Sequence, residues 1–159
     1  MSIADRALAA HEADEEATRL RKEAQQIERR AKAFAAISRR AEDFGLSVTE
    51  ADIVGDRYDG DRRYSAWIPV DDDVSLEFIW EIPWTGAKDV LTTVRGRVAD
   101  QLYWNLPPGE FEKGPGGGVY GCYSLSMPEI NDLVGLGRYI KQVRSARDAW
   151  RRKHGVEAD

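Results

Sequence analysis

The stretch Val74-Ser75-Leu76-Glu77-Phe78-Ile79-Trp80-Glu81-Ile82-Pro83-Trp84 decides the fold. Val74, Leu76, Phe78, Trp80, Ile82 and Trp84 take alternate positions, opposite Ser75, Glu77, Ile79, Glu81 and Pro83. Successive side chains of a strand leave on opposite faces, so the pattern predicts a strand with one face in a core and the other mostly wet. A sheet hydrated on one side is built from antiparallel neighbours, and the flanking sequence supplies them.

Downstream, a turn at Thr85–Asp89 leads to Val90–Val98, where Val90, Thr92, Val94 and Val98 alternate with Arg95 and Arg97. Those arginines are placed to face Glu77 and Glu81, a pairing worth a few tenths of a kcal/mol that fixes register more than stability. Upstream, Asp59-Gly60 is the dipeptide favoured at a type I′ turn, between Ile53–Tyr58 and Asp61–Val70. Further strands are expected at Gln101–Leu106 and Val119–Leu125. The reading is a central antiparallel sheet of about four to six strands within residues 50–126.

The segment Leu106–Gly118 holds Pro107, Pro108, Pro115 and five glycines, and is the longest irregular stretch. Loops of that length inside a domain are often functional. After it, Ser126-Met127-Pro128-Glu129 reads as a capping box opening a helix over 127–154 that stops at Gly155. Leu133, Leu136, Ile140, Val143 and Trp150 form its apolar stripe. Arg147 falls inside the stripe, which calls for a carboxylate partner, and the acids of the first helix are the candidates.

From Ser2 to Phe44 there is neither Gly nor Pro. Ala13, Ala17, Leu20, Ala24, Ile27, Ala31, Phe34, Ser38 and Ala41 recur with three-and-four spacing over four heptads, a narrow coiled-coil-like seam in a helix ending at Gly45. A polar helix with so thin a stripe gains too little alone, so the seam needs a partner in cis or in trans. The fold class is therefore α+β: a long N-terminal helix over 1–45, then an α+β unit over 46–159 made of the sheet and a C-terminal amphipathic basic helix.

Composition narrows function chiefly by exclusion. The chain has 159 residues, ample for one core, and its single cysteine, Cys122, cannot form an intramolecular disulfide. No apolar run approaches the roughly 20 residues of a membrane span and no leader pattern is evident, so a cytoplasmic protein without membrane contact is expected. Arg outnumbers Lys 17 to 6, a bias pointing to a GC-rich bacterial or phage genome. Net charge is −5, distributed as zero over residues 1–45, −9 over 46–137 and +4 over 138–159.

Candidate chemistry is sparse. Asp71-Asp72-Asp73 lies between two strands, where neighbouring side chains diverge, and reads as a solvated turn rather than a cation site. Lys113-Gly114-Pro115-Gly116-Gly117-Gly118 opens a strand, whereas a phosphate loop opens a helix. The only histidines, His11 and His154, sit in charged terminal helices, far from forming a nucleophile pair with Cys122. Glu77 and Glu81 are about 13 Å apart along one strand, beyond glycosidase separations. No catalytic residue, cofactor or metal site is expected, and the chain reads as non-enzymatic.

What remains is recognition. Trp67 is out of phase with Tyr64, Ala66, Ile68 and Val70, and Tyr103 and Tyr120 are out of phase in their own strands. With Phe111 and Lys113 of the loop they form the expected protein-binding patch. Leu20, Ala24, Ile27, Ala31 and Phe34 carry the helix seam, for docking or homo-oligomerisation. Two other readings are a small-ligand site on the aromatic sheet face and nucleic-acid binding through Arg138, Lys141, Arg144, Arg151 and Arg152. The acidic remainder of the chain opposes the latter.

Overall fold

The structure is a computed structural model, and it describes residues 1–56, 60–83, 91–98, 112–113, 119–120 and 127–155. Helix α1 spans Ile3–Glu42. Ser2 caps it: its hydroxyl accepts from Asp5 N–H while the Asp5 carboxylate accepts from Ser2 N–H, each at 3.0 Å. Its end follows the expected geometry, with Leu46 N–H donating to Ala41 C=O and Gly45 at φ +71°. A short 3-10 turn, Glu50–Asp52, then leads into the sheet.

Strands β1 (Val54–Asp56), β2 (Gly60–Pro69), β3 (Val74–Glu81) and β4 (Leu91–Val98) form one antiparallel sheet in the order β1-β2-β3-β4. A separate two-stranded ladder pairs β5 (Glu112–Lys113), inside the segment read as irregular, with β6 (Val119–Tyr120), at the start of an expected strand. Helix α2, Leu133–His154, closes the described chain and ends at Gly155, φ +66°. The molecule is thus α+β, with four strands in its main sheet among the described residues.

The inner face of β3 is the expected one: Val74, Leu76, Phe78 and Trp80 are buried. The helices cover it. Ala33, Ile37 and Ala41 come from α1, Phe44 from just past its end, and Leu136, Tyr139 and Val143 from α2, into one core with Tyr64, Ala66, Ile68 and Val94. Phe44 meets Phe78 edge-on, ring centroids 6.0 Å apart. Trp84, Thr85–Asp89, Gln101–Leu106 and the tip Asp59 lie outside the described residues.

Four sequence expectations change. The outer face of β3 is not wet throughout, because Glu77 and Ile79 are both 3% exposed. Helix α2 does not start at the Ser126 box. Residues 128–130 instead run antiparallel along β4, with Gly96 N–H donating to Pro128 C=O and Ile130 N–H to Val94 C=O. The helix opens at Asp132, whose carboxylate accepts from Gly135 N–H at 2.7 Å. An acid that can cap three residues later outcompetes a box followed by residues already paired to a strand.

The α2 stripe is shifted as well: Leu133 is exposed and Tyr139 takes the core position. Gly96 explains how a tyrosine fits. A Cβ at Gly96 would stand 2.5 Å from Tyr139 Cε1, so the ring lies on bare backbone. Arg147 does find a carboxylate, but it is Asp73 of the β2–β3 turn, at 2.6 Å, and its neighbour Asp148, rather than an acid of α1.

Candidate interaction surfaces

Helix α1 presents two stripes, and the chain uses only one. The helix residues that face the sheet are Ala33, Ile37 and Ala41, at four-residue steps, as a straight helix lying on a sheet requires. The seam residues Leu20, Ala24, Ile27 and Ala31 point about 110° away around the helix, taking 3.6 residues per turn. All four are exposed, Leu20 by 51% and Ile27 by 72%. Of the seam, Phe34 alone among the five named candidates packs in part against the core.

The helix also outruns its support. Every residue from Met1 to Glu28 is exposed apart from the intermediate Thr18. The Tyr64 hydroxyl meets the helix at Gln26 C=O, 3.4 Å, and Arg30 donates to Glu50 C=O at 3.1 Å and Ile53 C=O at 2.6 Å. Before Gln26 stand about 35 Å of helix at 1.5 Å per residue. Pairs one turn apart line it: His11 with Glu15, Arg19 with both Glu16 and Glu23, and Lys32 with Glu28. Such pairs and the Ser2 cap lend a few tenths of a kcal/mol each and hold a polar helix together without packing.

Where the seam reaches the body it opens onto a cleft of about 210 Å³, lined by Ile27, Arg30, Ala31, Phe34, Glu50 and Ile53. Its floor is apolar and its rim carries one base and one acid. On the opposite flank of α1 a broader cavity of about 420 Å³ is bordered by Lys32, Arg39 and Arg40 around Ala35 and Ala36. Arg40 is already engaged there, by Asp43 at 2.7 Å and Asn131 C=O at 2.6 Å.

The second surface is the outer face of the sheet. Trp67 stands on it, 49% exposed and directly across from Glu77. Arg97 crosses from the neighbouring strand, with its guanidinium 4.9 Å from the Trp67 ring centroid and two nitrogens on Glu77 Oε2, at 2.7 and 2.9 Å. Arg63 approaches the other Glu77 oxygen at 3.9 Å. The register sets Arg95 opposite Glu77, yet the ion pair forms with Arg97 on the diagonal and leaves Arg95 exposed. Arg97 can both pair and stack from there, and a desolvated carboxylate gains most from such a fork.

The turn Asp71–Asp73 is solvated at Asp72 but not throughout. Asp71 Oδ1 accepts from Asp73 N–H and Val74 N–H at 2.8 Å, and Asp73 is buried. Arg144 then spans Asp71 (2.8 Å) and Asp73 (3.2 Å), so this candidate phosphate contact already holds two carboxylates. The hydrogen bond from Asp71, above all, and that from Asp73 raise the Arg144 pKa above its ordinary value. Arg138, Lys141 and Arg152 are exposed, while the side chain of Arg151 lies outside the described residues.

Tyr103 and Phe111 also lie outside the described residues, and Lys113 and Tyr120 are described only as backbone of the β5–β6 ladder. Trp67 is thus the one residue of the expected patch whose side chain is seen. Leu8 (62% exposed) and Ile3 (84%) extend the apolar surface of α1 toward its start. Ile3 continues the seven-residue repeat of Ala10 and Ala17, whereas Leu8 lies about 120° around the helix from Leu20. Among the described residues no group of three or more His, Cys, Asp or Glu is gathered to hold a metal ion, and no helix is long and apolar enough to cross a membrane.

No protein-family model matches the chain, and neither a curated protein nor a solved structure matches it.

Proposed function

We propose that the protein is a non-enzymatic interaction or assembly component that docks through the exposed seam of α1 and offers the Trp67 face of the sheet as a second contact. One observation carries the reading. A helix about 40 residues long rests only its last third on its own domain, while Leu20 and Ile27 remain exposed in register along the rest. Burying a Leu or Ile side chain is worth about 1.5–3 kcal/mol, so covering this seam would contribute more than the surface charges beside it.

The second surface has the composition of an interface centre: a half-exposed Trp with Arg stacked on it beside a desolvated carboxylate. A chain from a high-GC bacterium or its phage, working in the cytoplasm, suits the arginine-rich composition. Tagged native chain and a Leu20→Glu, Ile27→Glu variant would be compared for what they retain from such a lysate after nuclease treatment. The reading predicts stoichiometric, nuclease-resistant retention of a protein, including further copies of the chain, that the variant loses at unchanged circular dichroism. Equal retention by both, or by neither, would contradict it.

A further inference from the structure

We infer that the occupant of the α1 seam is the α1 helix of a second copy, lying antiparallel, with Ile3 of each copy seated toward the Phe34 cleft of the other. The inference rests on the docking reading above and names its partner. Charge is the first argument. Residues 5–18 carry five acids and one base, Asp5, Glu12, Asp14, Glu15, Glu16 and Arg6, for a net −4. Residues 19–32 carry six bases, Arg19, Arg21, Lys22, Arg29, Arg30 and Lys32, and two acids, Glu23 and Glu28, for a net +4. An antiparallel pair centred between Thr18 and Arg19 lays each acidic half on a basic half, whereas a parallel pair lays like on like.

The seam supports the same centre independently. About that point Ala17 faces Leu20 of the other copy, Ala13 faces Ala24, Ala10 faces Ile27, Arg6 faces Ala31, and Ile3 faces Phe34. Leu20 and Ile27 each meet an alanine, so those layers fill evenly while the backbones approach closely. Beside the seam Asp14 meets the second copy's Arg21. Glu16 meets the second copy's Glu23, a like pair, but Arg19 of each chain already bridges both acids.

The cleft supplies the third argument. It lies at the body end of the seam, has an apolar floor of Ile27, Ala31, Phe34 and Ile53, and holds about 210 Å³. In the antiparallel register Ile3, 84% exposed in the single chain, arrives at Phe34, and Arg6 arrives at the rim where Glu50 stands. The overlap from Ile3 to Phe34 is about 47 Å at 1.5 Å per residue.

Disulfide trapping tests both partner and direction, using full-length chains in a Cys122→Ser background. Ala13→Cys and Ala24→Cys are both at exposed helical positions, so neither threatens the fold. Mixed under oxidation, they should give a heterodisulfide at about ten times the yield of either homodisulfide. Cysteines facing in one layer fall within the required Cα separation, whereas identical positions stand about 16 Å apart along the axis. Dominant homodisulfides would overturn the antiparallel arrangement. A monomeric mass with no cross-link would overturn self-association altogether. If the monomer still lost a retained protein on Leu20→Glu, Ile27→Glu substitution, this inference would fall while the docking reading stood.

Discussion

Arg147 Nη1 lies 2.6 Å from Asp73 Oδ1, joining α2 to the turn between β2 and β3 across 74 residues of sequence. Asp73 also accepts from Arg144, so one buried carboxylate anchors two successive turns of the helix. Asp73→Ala would leave Arg147 partly buried without its main partner, and a loss of about 3 kcal/mol is expected in urea unfolding. Arg144→Ala, removing a half-exposed partner that solvent screens, should cost far less. Equal losses would show that the Arg147 pair adds nothing beyond the contact with Arg144.

Gly96→Ala should destabilise by about 1–3 kcal/mol, since the added methyl overlaps the ring of Tyr139. The mechanism makes a sharper statement about the pair. In a Tyr139→Ala background the same change should cost less than half as much, because its obstacle is gone. Additive losses in the double-mutant cycle would place the constraint in the backbone instead.

Glu77→Ala removes the carboxylate shared by Arg97 and Arg63, and about 3 kcal/mol of stability should go with it. The Trp67 indole N–H resonance should shift in the same variant, because Arg97 loses the anchor that holds it over the ring. An unmoved resonance would mean that stacking, not the ion pair, positions Arg97.

At the start of α1, hydrogen bonds from Ser2, side chain first and backbone second, hold the Asp5 carboxyl below its usual range. A group with a lowered folded pKa stabilises above its unfolded value and loses that contribution as pH falls through the folded one. Amide protection at residues 3–6, taken relative to the unstructured exchange rate at the same pH, should therefore fall on acidification through the carboxylate range. In Asp5→Ala it should already be low at neutral pH and change little on acidification.

Much of this fold was legible because it follows local rules. The two-residue alternation from Val74 marked β3 and its core face, and glycines at 45 and 155 marked both helix ends. Long-range partners were not legible. Glu77 and Asp73 look like surface acids until arginines from other elements desolvate them, and Tyr139 looks peripheral until Gly96 makes room. The α1 seam reads in the sequence as an apolar stripe. A helix can carry two stripes, however, and the sequence does not say that Ile37 rather than Ile27 faces the sheet.

The most direct test of the central claim, that the exposed α1 seam is a docking surface filled by a second copy, is the mass of the full chain in solution across concentration. Sedimentation equilibrium up to about 0.1 mM should show native protein rising from 17.9 kDa toward twice that mass. Ile27→Glu, altering a side chain already 72% exposed, should stay at 17.9 kDa with its fold intact. Native chain that remained at 17.9 kDa throughout, or an Ile27→Glu variant that associated as well as native, would contradict the account.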